Sequence, residues 1–275
     1  KKLPSDTPRS RTRLNGESSW EERKMNDNVE LVKQNDFFGF PVCVYRFKKH
    51  SEYKNNILNY LNSSEITSSY YNSGNYLRTD GMTKPFIKNN HECLSDLRNA
   101  METATEHFYK DVLKADLSLD GSIKSKSYNT QSEPSITQSW VIRVPPQPTQ
   151  AHIQPMSTHQ HFMSPVCGSY YLKLNKNEKT TGGNLVFVNP TFNVKPQGNL
   201  LILTEILKCE GVYMNKVQEV EEGDIVLWSG VLAHTIEPMS FMYDERISII
   251  INTCPSPLST NDSNYVYNIS PFYEE

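Results

Sequence analysis

Trp140-Val141-Ile142-Arg143-Val144 is a short β-branched and aromatic run stopped by Pro145-Pro146. It is too short to be a buried helix, and its composition suits a strand. Comparable segments follow at 169–174, 184–188, 199–203, 212–220, 224–228 and 246–251. Gly182-Gly183, Pro196-Gln197-Gly198 and Gly223-Asp224 lie between them. Short strands at fairly even spacing, punctuated by Gly and Pro, predict an all-β sandwich or jelly roll. No strand–helix alternation occurs here, which disfavours a parallel α/β sheet, and no internal repeat is present.

Working outward, residues 37–45 (Phe37-Phe38-Gly39-Phe40-Pro41-Val42-Cys43-Val44-Tyr45) predict a first strand. Residues 51–62 predict a helix, with Tyr53, Ile57, Leu58 and Leu61 at helical spacing and Ser51 as N-cap. The strongest helix is expected over 92–114, where Leu94, Leu97, Met101, Ala104 and Phe108 form one stripe. Both helices are expected to brace the sheet. Residues 68–89, rich in Tyr, Asn and Gly, read as loop. That loop and 125–138 are candidate lids, with ordinary surface loop the plainer reading. Residues 1–36 are polar and charged, with Arg9-Ser10-Arg11-Thr12-Arg13 near the start. They are expected to form an extension that drapes over the core or stays mobile, a docking arm being the sharper alternative. The domain is then 37–275, with helical support over 51–115 and a jelly-roll core over about 137–254.

The chain has 275 residues, enough for one large domain. A net charge of −3 gives no electrostatic case for nucleic-acid binding. No segment has the length and apolarity of a membrane span or a signal peptide. The five cysteines are scattered with no CxxC pair, which argues against a disulfide framework or a zinc–thiolate site and fits a reducing cytoplasm.

The candidate site begins at His159-Gln160-His161. Residues two apart on a strand share a face, so both imidazoles can meet one metal ion. His234, just after the 224–228 strand, would complete a facial trio. Arg246 opens an otherwise apolar strand, Arg246-Ile247-Ser248-Ile249-Ile250-Ile251, and a charge there needs a partner. Either it pairs with an acid such as Asp224 or Glu237, or with Ser248 it grips a ligand carboxylate beside the metal. The carboxylate clamp is the stronger reading because of where His234 lies. His50, His91 and His107 are assigned no role, and His152 either lines the site or is exposed.

This string resembles the 2-oxoglutarate- and iron(II)-dependent oxygenases, in which His-x-Asp/Glu, a distal His and a following Arg occur in that order. The resemblance extends through Cys167-Gly168-Ser169-Tyr170-Tyr171-Leu172-Lys173-Leu174-Asn175 and Thr181-Gly182-Gly183-Asn184-Leu185, as in prolyl-hydroxylase-like members, and covers roughly 137–254. It is similar to an uncharacterised branch with His-x-His found in phages and marine bacteria. The resemblance implies a double-stranded β-helix with bracing helices. It implies Fe(II) on His159, His161 and His234, 2-oxoglutarate held by Arg246, Ser248 and Tyr171, dioxygen as reactant, and hydroxylation of a small-molecule or peptidyl substrate. His161 stands where the family has a carboxylate. It either ligates, giving a site that also suits zinc, or leaves the position to an unrecognised acid or a water. Two rivals remain: a non-catalytic module on a degenerate oxygenase fold, for instance in a phage particle, and a cupin-like three-histidine dioxygenase that needs no oxo acid.

Overall fold

The computed structural model describes residues 25, 27–80, 85–115, 134–153, 156–161, 164–175, 182–189 and 215–255. The expected strand at 199–203 and most of the N-terminal extension lie outside these residues.

The apolar run at 37–45 resolves into a hairpin. β1 (Val29–Phe37) and β2 (Phe40–Phe47) pair antiparallel. Phe38 and Gly39 both take positive φ, 59° and 84°, as a two-residue hairpin turn requires. Asp36 Oδ1 accepts a hydrogen bond from Gly39 N at 2.8 Å. β1 therefore reaches back to Val29, into the stretch read as a polar extension. As an edge strand it leaves much of Lys33, Gln34 and Asn35 to solvent, so no apolar alternation betrays it.

α1 (His50–Leu61) buries Ile57, Tyr60 and Leu61. It starts one residue before the expected Ser51 cap, and Lys49 at the N-cap makes no side-chain bond. α2 (Ser64–Thr67) is a single turn. The short strands β3 (Tyr70–Asn72) and β4 (Leu77–Thr79) occupy the stretch expected to be loop. The long predicted helix is a 3₁₀ turn at Glu92–Leu94, then α3 (Ser95–His107), then a π turn at Phe108–Val112. Its stripe Leu94, Leu97, Met101, Ala104 and Phe108 is fully buried, as the periodicity predicts.

The remaining strands are β5 (Pro134–Val144), β6 (Val166–Lys173), β7 (Leu185–Val188), β8 (Asn215–Gln218), β9 (Asp224–Ser229), β10 (His234–Ile236) and β11 (Arg246–Pro255). Eight strands form one sheet in the order β1-β2-β9-β6-β11-β5-β4-β3, and β10-β7-β8 form a second. All the pairings are antiparallel. The fold is mainly β, a jelly roll of the double-stranded β-helix type with helices bracing one face.

Strand parity sorts the core into two layers. On β6, Tyr170 and Leu172 face outward and join the helices and β9's Ile225 and Leu227 in one cluster. The Tyr170 hydroxyl is hydrogen-bonded to His50 Nδ1 of α1 at 2.7 Å. Cys167 and Tyr171, on the opposite face, pack with Val226, Trp228 and the β7 residues Leu185 and Phe187. β6 is thus buried on both faces. The site lies in the inner layer. Among the described residues no helix is long and apolar enough to cross a membrane.

Candidate metal and carboxylate site

His159 and His161 lie in the connection between β5 and β6, not on a continuous strand. Their common direction comes from the backbone of the opposite wall. His159 N donates to His234 O at 3.0 Å, and His234 N to His159 O at 2.9 Å, a single antiparallel bridge. Residues facing each other across such a bridge project to the same side. His161 N then donates to Gly230 O at 2.8 Å. Gly230 has to be glycine: a Cβ there would overlap Ser164 O and come within 2.7 Å of His161 O. One ring nitrogen from each of the three histidines falls within 4.8 Å of the others. The ring centroids of His159 and His234 are 4.4 Å apart, and those of His161 and His234 are 5.1 Å apart.

Each imidazole is oriented by a carbonyl oxygen on its Nδ1. His159 donates to Ser157 O at 2.9 Å, His234 to Leu232 O at 3.1 Å, and His161 to Asn252 Oδ1 at 2.6 Å. Asn252 is itself fixed by donating to Gln138 Oε1 at 2.7 Å. A carbonyl oxygen accepts, so Nδ1 carries the hydrogen and Nε2 keeps the free lone pair, the tautomer a metal ligand needs. Burial lowers the pKa of all three rings, that of His161 to about 4 and that of His234 well below the usual value. All three are therefore neutral at neutral pH. This donor set fits a divalent transition metal such as iron(II), zinc or nickel.

Arg246 lies across the cavity at 2% exposure. Nη1 reaches Ser248 Oγ at a long 3.4 Å, and the guanidinium sits 5.2 Å from the centre of the Tyr171 ring. Nε has no hydrogen-bond partner among the described residues. Burial lowers its pKa, opposed by Tyr171. The two acids considered as partners are engaged elsewhere: Asp224 accepts from Arg46 Nε at 2.7 Å, and Glu237 accepts from Asn184 Nδ2 at 2.9 Å. A buried cation without an acid is costly unless a ligand supplies the anion. A carboxylate meeting the orphan Nε, the Ser248 hydroxyl and Tyr171 is the complement this wall calls for.

These groups line one cavity. His159, His161 and His234 stand at one end and Arg246, Ser248 and Tyr171 at the other, with Trp140, Ile142, Leu185, Trp228, Ile236 and Ile250 between. All six residues singled out in the sequence therefore meet here. His152 is exposed and outside the cavity lining. Sequence reasoning missed Asn252 and Gln138, which aim His161, and Trp140, whose ring stacks on His161 at 6.0 Å with planes 8° apart. The signal for Asn252 was present: it continues the two-residue step Arg246, Ser248, Ile250 along β11.

Residues 138–252, which supply every residue of this site, match the family model described as putative 2OG-Fe(II) oxygenase. The resemblance to 2-oxoglutarate- and iron(II)-dependent oxygenases holds over that segment. No curated protein matches significantly. Among solved structures, the chain is similar to an oxidoreductase of the 2OG-Fe(II) oxygenase family from Burkholderia pseudomallei (11% identity, 74% of this chain and 89% of that chain, TM-score 0.37). It is also similar to a Pseudomonas putida prolyl-4-hydroxylase (13%, 74% and 86%, TM-score 0.43). A third likeness is to HygX from Streptomyces hygroscopicus, solved with nickel and 2-oxoglutarate bound (10%, 78% and 83%, TM-score 0.42).

Proposed function

We propose that this chain is an iron(II)- and 2-oxoglutarate-dependent dioxygenase that hydroxylates a small-molecule or peptidyl substrate. The observation that carries the reading is the meeting, in one cavity, of three neutral imidazoles with free Nε2 lone pairs and a buried guanidinium that has no acid. When bound, the metal and oxo acid supply the oxidising chemistry: dioxygen gives one oxygen atom to succinate as the oxo acid loses CO₂, and the other to the substrate.

The protein's part is binding and orientation. His159, His161 and His234 hold the metal, each ring locked by the carbonyl on its Nδ1. Arg246 receives the far carboxylate of the oxo acid, with the Ser248 and Tyr171 hydroxyls as further hydrogen-bonding groups. Trp140, Trp228, Ile142 and Ile250 exclude water from the space between. His161 in place of the usual carboxylate leaves the metal with its full double positive charge, because all three ligands are neutral. That strengthens the demand for an anionic cosubstrate.

An anaerobic titration of the reconstituted protein with iron(II) and then 2-oxoglutarate tests this. A weak visible charge-transfer band is expected on adding the oxo acid, and admitting air should yield succinate. No band together with no succinate sinks the proposal.

A further inference from the structure

We infer that Arg78, which packs on the cavity-lining Trp140, anchors a carboxylate on an otherwise apolar substrate. The inference rests on the oxygenase reading of the same cavity. Arg78 lies on β4 directly opposite Ile142 of β5. Cross-strand partners share a face, and Ile142 lines the cavity, so Arg78 leaves the sheet on the cavity side. The row continues inward through Ser248 on β11 and Tyr171 on β6. One line of cross-strand neighbours thus runs from Arg78 to the carboxylate clamp.

The Arg78 guanidinium lies 4.7 Å from the centre of the Trp140 ring, and Trp140 stacks on His161. A single indole therefore separates this cation from a metal ligand. Nε of Arg78 is buried without an acceptor. Two other arginines of the large sheet behave differently. Arg46 holds Asp224 and Glu221, and Arg143 holds Glu245 at 2.5 Å. Among the described residues only aromatic faces, Trp140 and Tyr71, oppose Arg78. An aromatic face offers a cation no hydrogen-bond acceptor, so among the described residues the fork of N–H groups meets no acid. The cavity that holds the histidines is lined beside Trp140 by Ile142, Met156 and Ile250. A ligand that satisfies both Arg78 and this cavity has a carboxylate at Arg78 and an apolar stem along the indole, with a C–H bond carried toward the histidines.

The plain alternative is a guanidinium that merely packs on two rings, and binding separates the two. Wild-type protein is first saturated anaerobically with iron(II) and 2-oxoglutarate, so the Arg246 position is filled and the visible band reports it. It is then titrated by calorimetry with 4-methylpentanoate and with 4-methylpentanamide, which share a stem and differ in charge. The acid is expected to bind roughly tenfold or more tightly than the amide, the effect of one charge-assisted hydrogen bond. Arg78→Gln should erase that preference, and Arg78→Lys, which keeps the charge without the planar fork, should retain part of it. Should Arg78→Gln fail to fold, the Arg78→Lys comparison alone decides. Equal binding of acid and amide, no binding of either, or a preference that survives Arg78→Gln overturns the inference while leaving the oxygenase reading intact. Absence of the visible band before any probe is added removes that reading, and this inference with it.

Discussion

Arg246→Met is the substitution in which stability and function should move in opposite directions. Arg246 is among the largest fully buried side chains, lacks an acid, and has a bare Nε. Methionine keeps much of the stem's length and removes a charge that only a ligand can compensate. Replacing buried ionic groups by apolar ones of similar size is often stabilising by about 1–4 kcal/mol. Taking about 2 kcal/mol, the ligand-free protein should melt roughly 4–8 °C higher, at about 2–4 °C per kcal/mol for a chain of this size. Removing one partner of a buried charge pair costs about 3 kcal/mol of binding, so affinity for 2-oxoglutarate should fall roughly 100-fold or more. Differential scanning fluorimetry with and without the oxo acid, on iron(II)-loaded protein without oxygen, reads both. Wild type should gain thermal stability from the acid and the variant should not. A ligand-free variant that melts several degrees lower, yet is still stabilised by 2-oxoglutarate, would show that Arg246 is a structural residue and refute the argument.

Asn252→Ala removes the acceptor that orients His161 and should weaken metal affinity about 10- to 100-fold, the usual range for partners of metal-bound histidine. Asn252→Asp, which keeps an acceptor, should recover most of it. Competition with a chromophoric chelator measures both, and equal losses in the two variants would contradict the positioning role. Gly230→Ala forces a methyl group into Ser164 O and against His161 O. Bound metal after reconstitution, measured by elemental analysis, should drop to a small fraction of the wild-type content. Full occupancy there would mean that the segment carrying His161 is less constrained than its backbone bonds imply.

What could be read from the sequence follows from where each residue sits. β5, β6, β7, β8, β9 and β11 were legible because their β-rich runs are punctuated by Gly and Pro. The α3 stripe was legible because thirteen residues give several turns of period. β1, β3, β4 and the three-residue β10 were not. β1 is a largely solvated edge without alternation, and β3 and β4 have three residues each, too few for any period to register. That loss carried Arg78 with it, since its direction is known only once β4 is known to pair with β5. The His-x-His motif was found for a reason that is only partly right. The two-residue step holds, but a single bridge to His234 creates the shared face. Asn252 and Gln138 escaped because uncharged amides carry no compositional signature, although Asn252 sits in phase with Arg246 and Ser248. The corresponding acid pairs for Arg246 failed because Arg46 and Asn184 had already engaged Asp224 and Glu237.

The three neutral donors facing Arg246 have a thermodynamic consequence. A divalent cation entering this pocket adds to a guanidinium already there, so two like charges share a poorly hydrated space. A dicarboxylate lodged between them relieves both at once. On the proposed reading, metal and acid would be cooperative guests: each would raise the other's affinity by the same factor, as linkage requires. Under that coupling, the affinity of either guest measured alone would fall short of its affinity in the other's presence.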